Sequence, residues 1–142
     1  MSTDLFATSQ VLWRGGIEME LHSHIEIRGQ ILLVTAEGDA AFDAVLRIFK
    51  LVFDSAKEKG INKILVNTLA VNGKLTTEER YRLAVELAEY LKQRNMKPRV
   101  AIVGVPPTMD GFGVLVAQNR DVTTQAFDTE RAALNWLNIW PS

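Results

Sequence analysis

The chain contains no cysteine. That absence removes disulfides, thiolate nucleophiles and cysteine-ligated zinc together, and it suits a reducing compartment. Histidine is scarce, with two residues in the whole chain. Both lie in one short stretch and no Gly-x-Ser-x-Gly elbow occurs, so a Ser-His-Asp arrangement has nothing to be built from. Charge of one sign is also missing. A formal net charge of -1 provides no basic field to hold a phosphate backbone, and no nucleic-acid partner is expected. Apolar runs are broken by charge well short of the ~20 residues of a membrane span. The opening Met1-Ser2-Thr3-Asp4-Leu5-Phe6 lacks the basic start and apolar run of a signal peptide. The expected location is cytoplasmic.

What is present is ordinary globular material. Hydrophobic residues make up 47% and charged residues 23% of the 142, enough to bury a core and too apolar for disorder. No repeat, linker or low-complexity tract divides the chain, so a single domain over residues 1–142 is expected, with 1–16 as an N-terminal extension. Within that extension, Val11-Leu12-Trp13-Arg14 followed by Gly15-Gly16 reads as a short strand and a tight hairpin turn.

The clearest strand signal comes next. Ile17, Met19, Leu21, Ser23, Ile25 and Ile27 alternate with Glu18, Glu20, His22, His24, Glu26 and Arg28, which places an apolar and a polar set on opposite faces. This is an edge or near-edge strand. Ile31-Leu32-Leu33-Val34-Thr35-Ala36 is apolar on both faces, as in a strand covered on both sides. Thereafter helix and strand alternate. Phe42, Val45, Leu46, Phe49, Val52, Phe53 and Ala56 recur at helical spacing between Asp39, an expected N-cap, and Gly60, an expected stop. Ile64-Leu65-Val66 is a short buried strand. Thr76-Thr77-Glu78-Glu79 opens a second helix with a capping box, and its stripe is Leu83, Ala84, Leu87, Ala88 and Leu91. Pro98 closes that helix region. Val100 to Val103 is a strand, a weak helix spans about 109–119, and Val122 to Phe127 is the last strand. Asp128 or Thr129 caps a final helix with Ala133, Trp136, Leu137 and Trp140 on its stripe. The predicted fold is α/β, a mixed, mostly parallel sheet with an N-terminal antiparallel hairpin, in the order β-β-α-β-α-β-α-β-α.

This order, with certain segments, resembles the STAS domains, and more closely the SpoIIAA-like (STAS/SEC14-like) group. The segments are Lys63-Ile64-Leu65-Val66, Gly73-Lys74-Leu75-Thr76 running into Glu78-Glu79-Arg80, Arg99 to Gly104, and Phe127 to Leu137. The resemblance covers about residues 20–138. It implies a non-enzymatic regulatory or interaction module, and its SEC14 side implies lipophilic ligands. Phosphorylatable STAS antagonists carry an Asp-Ser-Ser/Thr-Gly type segment where the central strand meets the second helix. Here Asn67-Thr68-Leu69-Ala70-Val71-Asn72-Gly73 stands there instead, so no phosphosite is carried over.

In parallel α/β sheets ligands gather beyond the C-terminal ends of the strands. Those ends supply the candidate binding residues Asn67, Thr68, Asn72, Lys74, Pro106 and Thr108. Leu69, Ala70 and Val71 in the same loop must cover either the core or a ligand. The occupant is a small apolar ligand or a protein partner, and a homodimer through the first strand or first helix is a further option. The alternative is a small metal-assisted enzyme using His22 and His24, which share a strand face with Glu20 and Glu26. Its simpler counterpart is a solvated strand face, and the reading assigns no catalytic residue, metal or cofactor. Gly111-Phe112-Gly113 lacks the third glycine of a dinucleotide fingerprint. Trp136 fits the core, and Trp140 is left open between core and surface.

Overall fold

The computed structural model describes residues 2–14 and 17–140, with side chains from Leu21 to Trp140. Its strands are β1 (Ser2–Arg14), β2 (Ile17–Arg28), β3 (Ile31–Asp39), β4 (Lys63–Asn72), β5 (Arg99–Val103) and β6 (Thr123–Phe127). Its helices are α1 (Phe42–Lys59) between β3 and β4, α2 (Thr77–Gln93), α3 (Phe112–Gln118) and α4 (Glu130–Asn138). From β2 onward the order is the expected β-β-α-β-α-β-α-β-α. β1 is longer than Val11–Arg14 and adds a strand ahead of it. The turn expected at Gly15-Gly16 lies outside the described residues.

The strands lie side by side in chain order, β1 to β6. β1, β2 and β3 pair antiparallel, and β3 through β6 pair parallel. β2 is therefore flanked on both sides and stands next to the edge. Each crossover from β3 onward advances one strand in the same direction, and crossovers of this kind share one hand. Three successive helices then fall on one face of the sheet, where α1 packs on α2 and α2 on α3. Only α4, which follows the last strand, reaches the opposite face, against β4, β5 and β6.

Two cores result. On the three-helix face, Leu21, Ile25, Leu32, Val34, Ile64, Val66 and Val100 of the strands meet Ala44, Ile48, Val52, Phe53 and Ala56 of α1 and Leu87 and Leu91 of α2. On the other face, Leu33, Leu65, Ala101 and Val103 meet Ala133 and Leu137. Trp136 packs on Phe127 with ring centres 5.7 Å apart, and Trp140 meets Trp136 edge-on at 6.2 Å. Both tryptophans are half-buried. Lys63 Nζ donates to the Trp140 carbonyl, and the Arg99 guanidinium lies 4.6 Å from the Trp140 ring centre. Cations at a helix C-terminus satisfy orphan carbonyls and complement the helix dipole. Because α4 is short, it leaves the near end of that face bare, and β3 is covered on both sides only in part. Leu33 is buried there, while Thr35 and Glu37 are exposed.

The helix boundaries follow local chemistry. Thr76 Oγ1 accepts from the Glu79 amide at 3.0 Å and Glu79 returns a carboxylate to the Thr76 amide at 2.9 Å, the expected capping box. Thr129 caps α4 by accepting from Ala132. Asp39 is not the cap of α1. Pairing of Asp39 with Asn72 extends β3 through it, and the N-cap is Ala41 without a side-chain bond. Gly60 ends α1 with a left-handed backbone, φ 68°. α2 ends before Pro98 in the same way. Asn95 takes φ 53°, and the amides of Asn95 and Met96 bond back to Lys92 and Leu91, the Schellman arrangement that closes a helix.

Leu137 is fully buried on the only helix covering its face among the described residues. Leu137→Ala should therefore lower unfolding free energy by about 2–5 kcal/mol, read from denaturant midpoints at unchanged slope. A loss below 1 kcal/mol would mean that α4 does not anchor this core.

Candidate functional site: an apolar cavity beneath α1, α2 and α3

β4 does not stop at Val66. It continues to Asn72 beside β3, through an irregularity at which Thr35 faces Asn67 but Glu37 faces Ala70. Thr68 and Leu69 thus oppose Ala36 alone, a bulge of the kind that re-aims side chains at sheet ends. Thr68 turns under the helices, and Leu69 is 48% exposed. Beyond β5 the chain passes Gly104, where a Cβ would lie 2.5 Å from Thr68 Oγ1 and 2.9 Å from the Met109 Cβ. Only glycine lets the following loop lie this close to β4. The Thr108 hydroxyl fastens the loop by donating toward the carbonyls of Gly73 (2.7 Å) and Val71 (3.2 Å). Thr68 gives its own hydroxyl proton to the Val103 carbonyl at 2.8 Å.

Under this loop lies a cavity of about 180 Å³ between the sheet and α1, α2 and α3. Val45, Ile48, Phe49 and Phe53 line it from α1, Leu83, Ala84, Leu87, Ala88 and Leu91 from α2, and Val114 and Ala117 from α3. Leu21, Ala36, Val66, Val71, Val100 and Ile102 form its floor. The alanines of α2 and α3 leave the space that a larger residue would fill. Its charged lining residues are Arg80 and Asp110, and its threonine hydroxyls are spent on backbone carbonyls. A third one, Thr124, donates to Val100 at 2.8 Å.

Arg80 stands on α2 one turn before Ala84, on the apolar stripe. Its Nη1 donates to Asp110 Oδ2 at 2.5 Å, and the side chains of the two residues are 12% and 46% exposed. Arg80 Nε is buried with no hydrogen-bond partner. Asp110 also accepts from the Phe112 amide at 3.0 Å. That backbone bond is the main cause holding its carboxyl below the ordinary carboxylate range; burial opposes it, and the charge and hydrogen bond of the Arg80 guanidinium add to the lowering.

The six sequence-derived residues separate by strand parity and loop position. Thr68 and Thr108 come together in the cavity wall. Asn67 points to the opposite face of the sheet, where Nδ2 donates to Glu130 at 3.0 Å and Oδ1 accepts from the Leu69 amide at 2.9 Å. Asn72, Lys74 and Pro106 are exposed and do not line the cavity. Of the three aliphatic residues, Val71 covers the cavity while Leu69 and Ala70 face solvent. Sequence reasoning passed over Arg80 and Asp110. The signal for Arg80 was present, since 80, 84, 87 and 91 share one helix face and a cation there interrupts an otherwise apolar stripe.

His22 and His24 share the polar face of β2, opposite Glu37 and Thr35, with His24 exposed. The side chain of Glu20 lies outside the described residues. Among the described residues no group of three His, Asp or Glu side chains comes together to hold a metal ion. No helix among them is long and apolar enough to cross a membrane. Searches against protein-family models and against curated proteins find no match to this chain.

Two outcomes follow from the mouth geometry. Gly104→Ala should cost about 1–3 kcal/mol through overpacking and speed amide exchange in residues 105–111. Wild-type exchange there would mean that the contact is not limiting. Because the folded carboxyl of Asp110 sits below its unfolded value, its pairing stabilises the loop above the ordinary carboxylate range and is lost as pH falls through the folded value. The Phe112 amide shift should accordingly titrate with a midpoint below that of an ordinary aspartate. A midpoint at or above that value contradicts the pairing.

Proposed function

We propose that this protein is a non-enzymatic binding module of STAS, SpoIIAA-like type that takes a small lipophilic ligand into the cavity beneath α1, α2 and α3. The observation that carries this reading is the cavity itself: about 180 Å³, walled by aliphatic and aromatic side chains, and ending at the C-terminal ends of the strands. Natural cores rarely leave such space empty, and an engineered apolar cavity of ~150 Å³ stays dry and admits benzene. Element order and the sequential mixed sheet support the STAS resemblance. The non-enzymatic reading draws support from the lining, where the hydroxyls donate to backbone carbonyls and the carboxylate is engaged by Arg80 and the Phe112 amide.

A protein partner is a second occupant. Leu69 and Val105 are 48% and 42% exposed at the strand ends, and apolar side chains placed there suit a partner that inserts a residue at the same mouth.

Filling the cavity from within tests the first reading. Ala84 is 7% exposed and lines the space. Ala84→Leu should keep or raise stability by up to about 2 kcal/mol through added burial and abolish uptake of benzene, followed by chemical-shift changes of the methyl groups of Val66, Leu83 and Leu87. Benzene that perturbs none of these methyls in the wild type, or perturbs them equally in a folded Ala84→Leu variant, removes the cavity as a binding site.

A further inference from the structure

We propose that the mouth of the cavity is a carboxylate site built on Arg80, and that the ligand is a small monocarboxylate with an apolar tail. This rests on the reading of the cavity as a ligand site and adds the chemistry of the ligand's head. A guanidinium lining an apolar cavity is costly unless its donors are used, because buried polar groups without partners lose the hydrogen bonds they had in water. Asp110 occupies Nη1. The adjoining edge of the planar group, Nε with Nη2, is the one that accepts a carboxylate side-on through two parallel N–H···O bonds, and its Nε is buried and unpartnered.

The remaining polar groups at the mouth narrow the choice of head group. The hydroxyls of Thr68 and Thr108 donate to backbone carbonyls, and the Phe112 amide donates to Asp110. A neutral acceptor such as a hydroxyl would take a single bond from Nε. A carboxylate takes two and gains the charge as well. Cavity size sets the tail. At about 180 Å³, slightly more than an engineered cavity that holds benzene, it admits a chain of roughly six to eight carbons or one aromatic ring. Asp110 then has a defined effect. It stays on the same guanidinium as the ligand, so the two carboxylates repel, and affinity for an anion is lower than the bare cation would give.

Octanoate and 1-octanol, titrated separately into the full chain and followed by amide and methyl shifts, distinguish the possibilities. Octanoate should bind with one-to-one stoichiometry about ten-fold or more tightly than octanol, as a charge-assisted bidentate pair implies. Arg80→Gln should erase that preference while octanol affinity stays within about two-fold. Asp110→Asn should tighten octanoate several-fold and leave octanol unchanged, and this variant decides the matter if Arg80→Gln fails to fold. Equal binding of the two probes to the wild type overturns the carboxylate site and leaves the apolar-ligand reading standing. An Asp110→Asn variant that binds octanoate no better, or less well, also overturns it. If neither probe enters the cavity, both readings fail together.

Discussion

The placement of three helices on one face of the sheet and one on the other governs the remaining structure. Strands β3 to β6 stand in chain order, so each connecting helix is laid beside the previous one on the same side. α2 is held between α1 and α3, and its height above the sheet is set by those neighbours as well as by its own side chains. With Ala84 and Ala88 on its lower surface and Ala117 on α3, this layer does not close onto the strands. On the opposite face, served by the nine residues of α4, Leu137 and Ala133 sit directly on Leu65, Ala101 and Val103.

The gap is expensive if empty. At ~24 cal/mol per Å³ of residual cavity, the void corresponds to about 4 kcal/mol of forgone packing, against a total stability of about 5–15 kcal/mol for a domain of this kind. The polar fastening around it offsets part of that cost. Tyr90 donates to Asp54 at 2.7 Å, and Arg94 lies over the Tyr90 ring and 3.5 Å from Asp54. Together they tie the C-terminal ends of α1 and α2. At the other end Thr108 and the Arg80–Asp110 pair tie the loop to β4 and α2. The cavity is therefore clasped below and latched above. Any molecule that fills it gains the missing contacts, and its binding adds directly to the stability of the folded state.

Much of this architecture was legible in the residues. The alternation from Leu21 to Ile27 fixed both the strand and its buried face, and the caps at Thr76, Gly60 and Thr129 follow from side-chain chemistry that acts over three or four residues. What escaped depends on partners distant in sequence. Asn67 to Asn72 has the composition of a loop, and it is a strand because β3 continues beside it as far as Asp39. Context of this kind overrides strand propensity. Once that segment is a strand, parity sends Asn67 to the far face and Thr68 to the cavity, a division that loop composition does not reveal. Asp39 lost its capping role to the same pairing. Arg80 was the reverse case: its position on the apolar stripe was readable, but its meaning depends on Asp110, thirty residues on.

The same geometry bears on the chemistry of the end of β4. The segment from Asn67 to Gly73 offers one hydroxyl, that of Thr68. It lies beneath the loop after β5, with its proton committed to the Val103 carbonyl and Gly104 pressed against it. A phosphate there would add close to two negative charges and three oxygens to an apolar wall, in space that does not admit even a Cβ at residue 104. Covalent signalling through this position is therefore sterically closed. The loop over the cavity is held by Thr108, by the Arg80–Asp110 pair and by close contact at Gly104. That loop also carries Val105, which is 42% exposed. The proposed cavity ligand and this exposed apolar side chain meet the same loop, so the two proposed occupants of the mouth share one element.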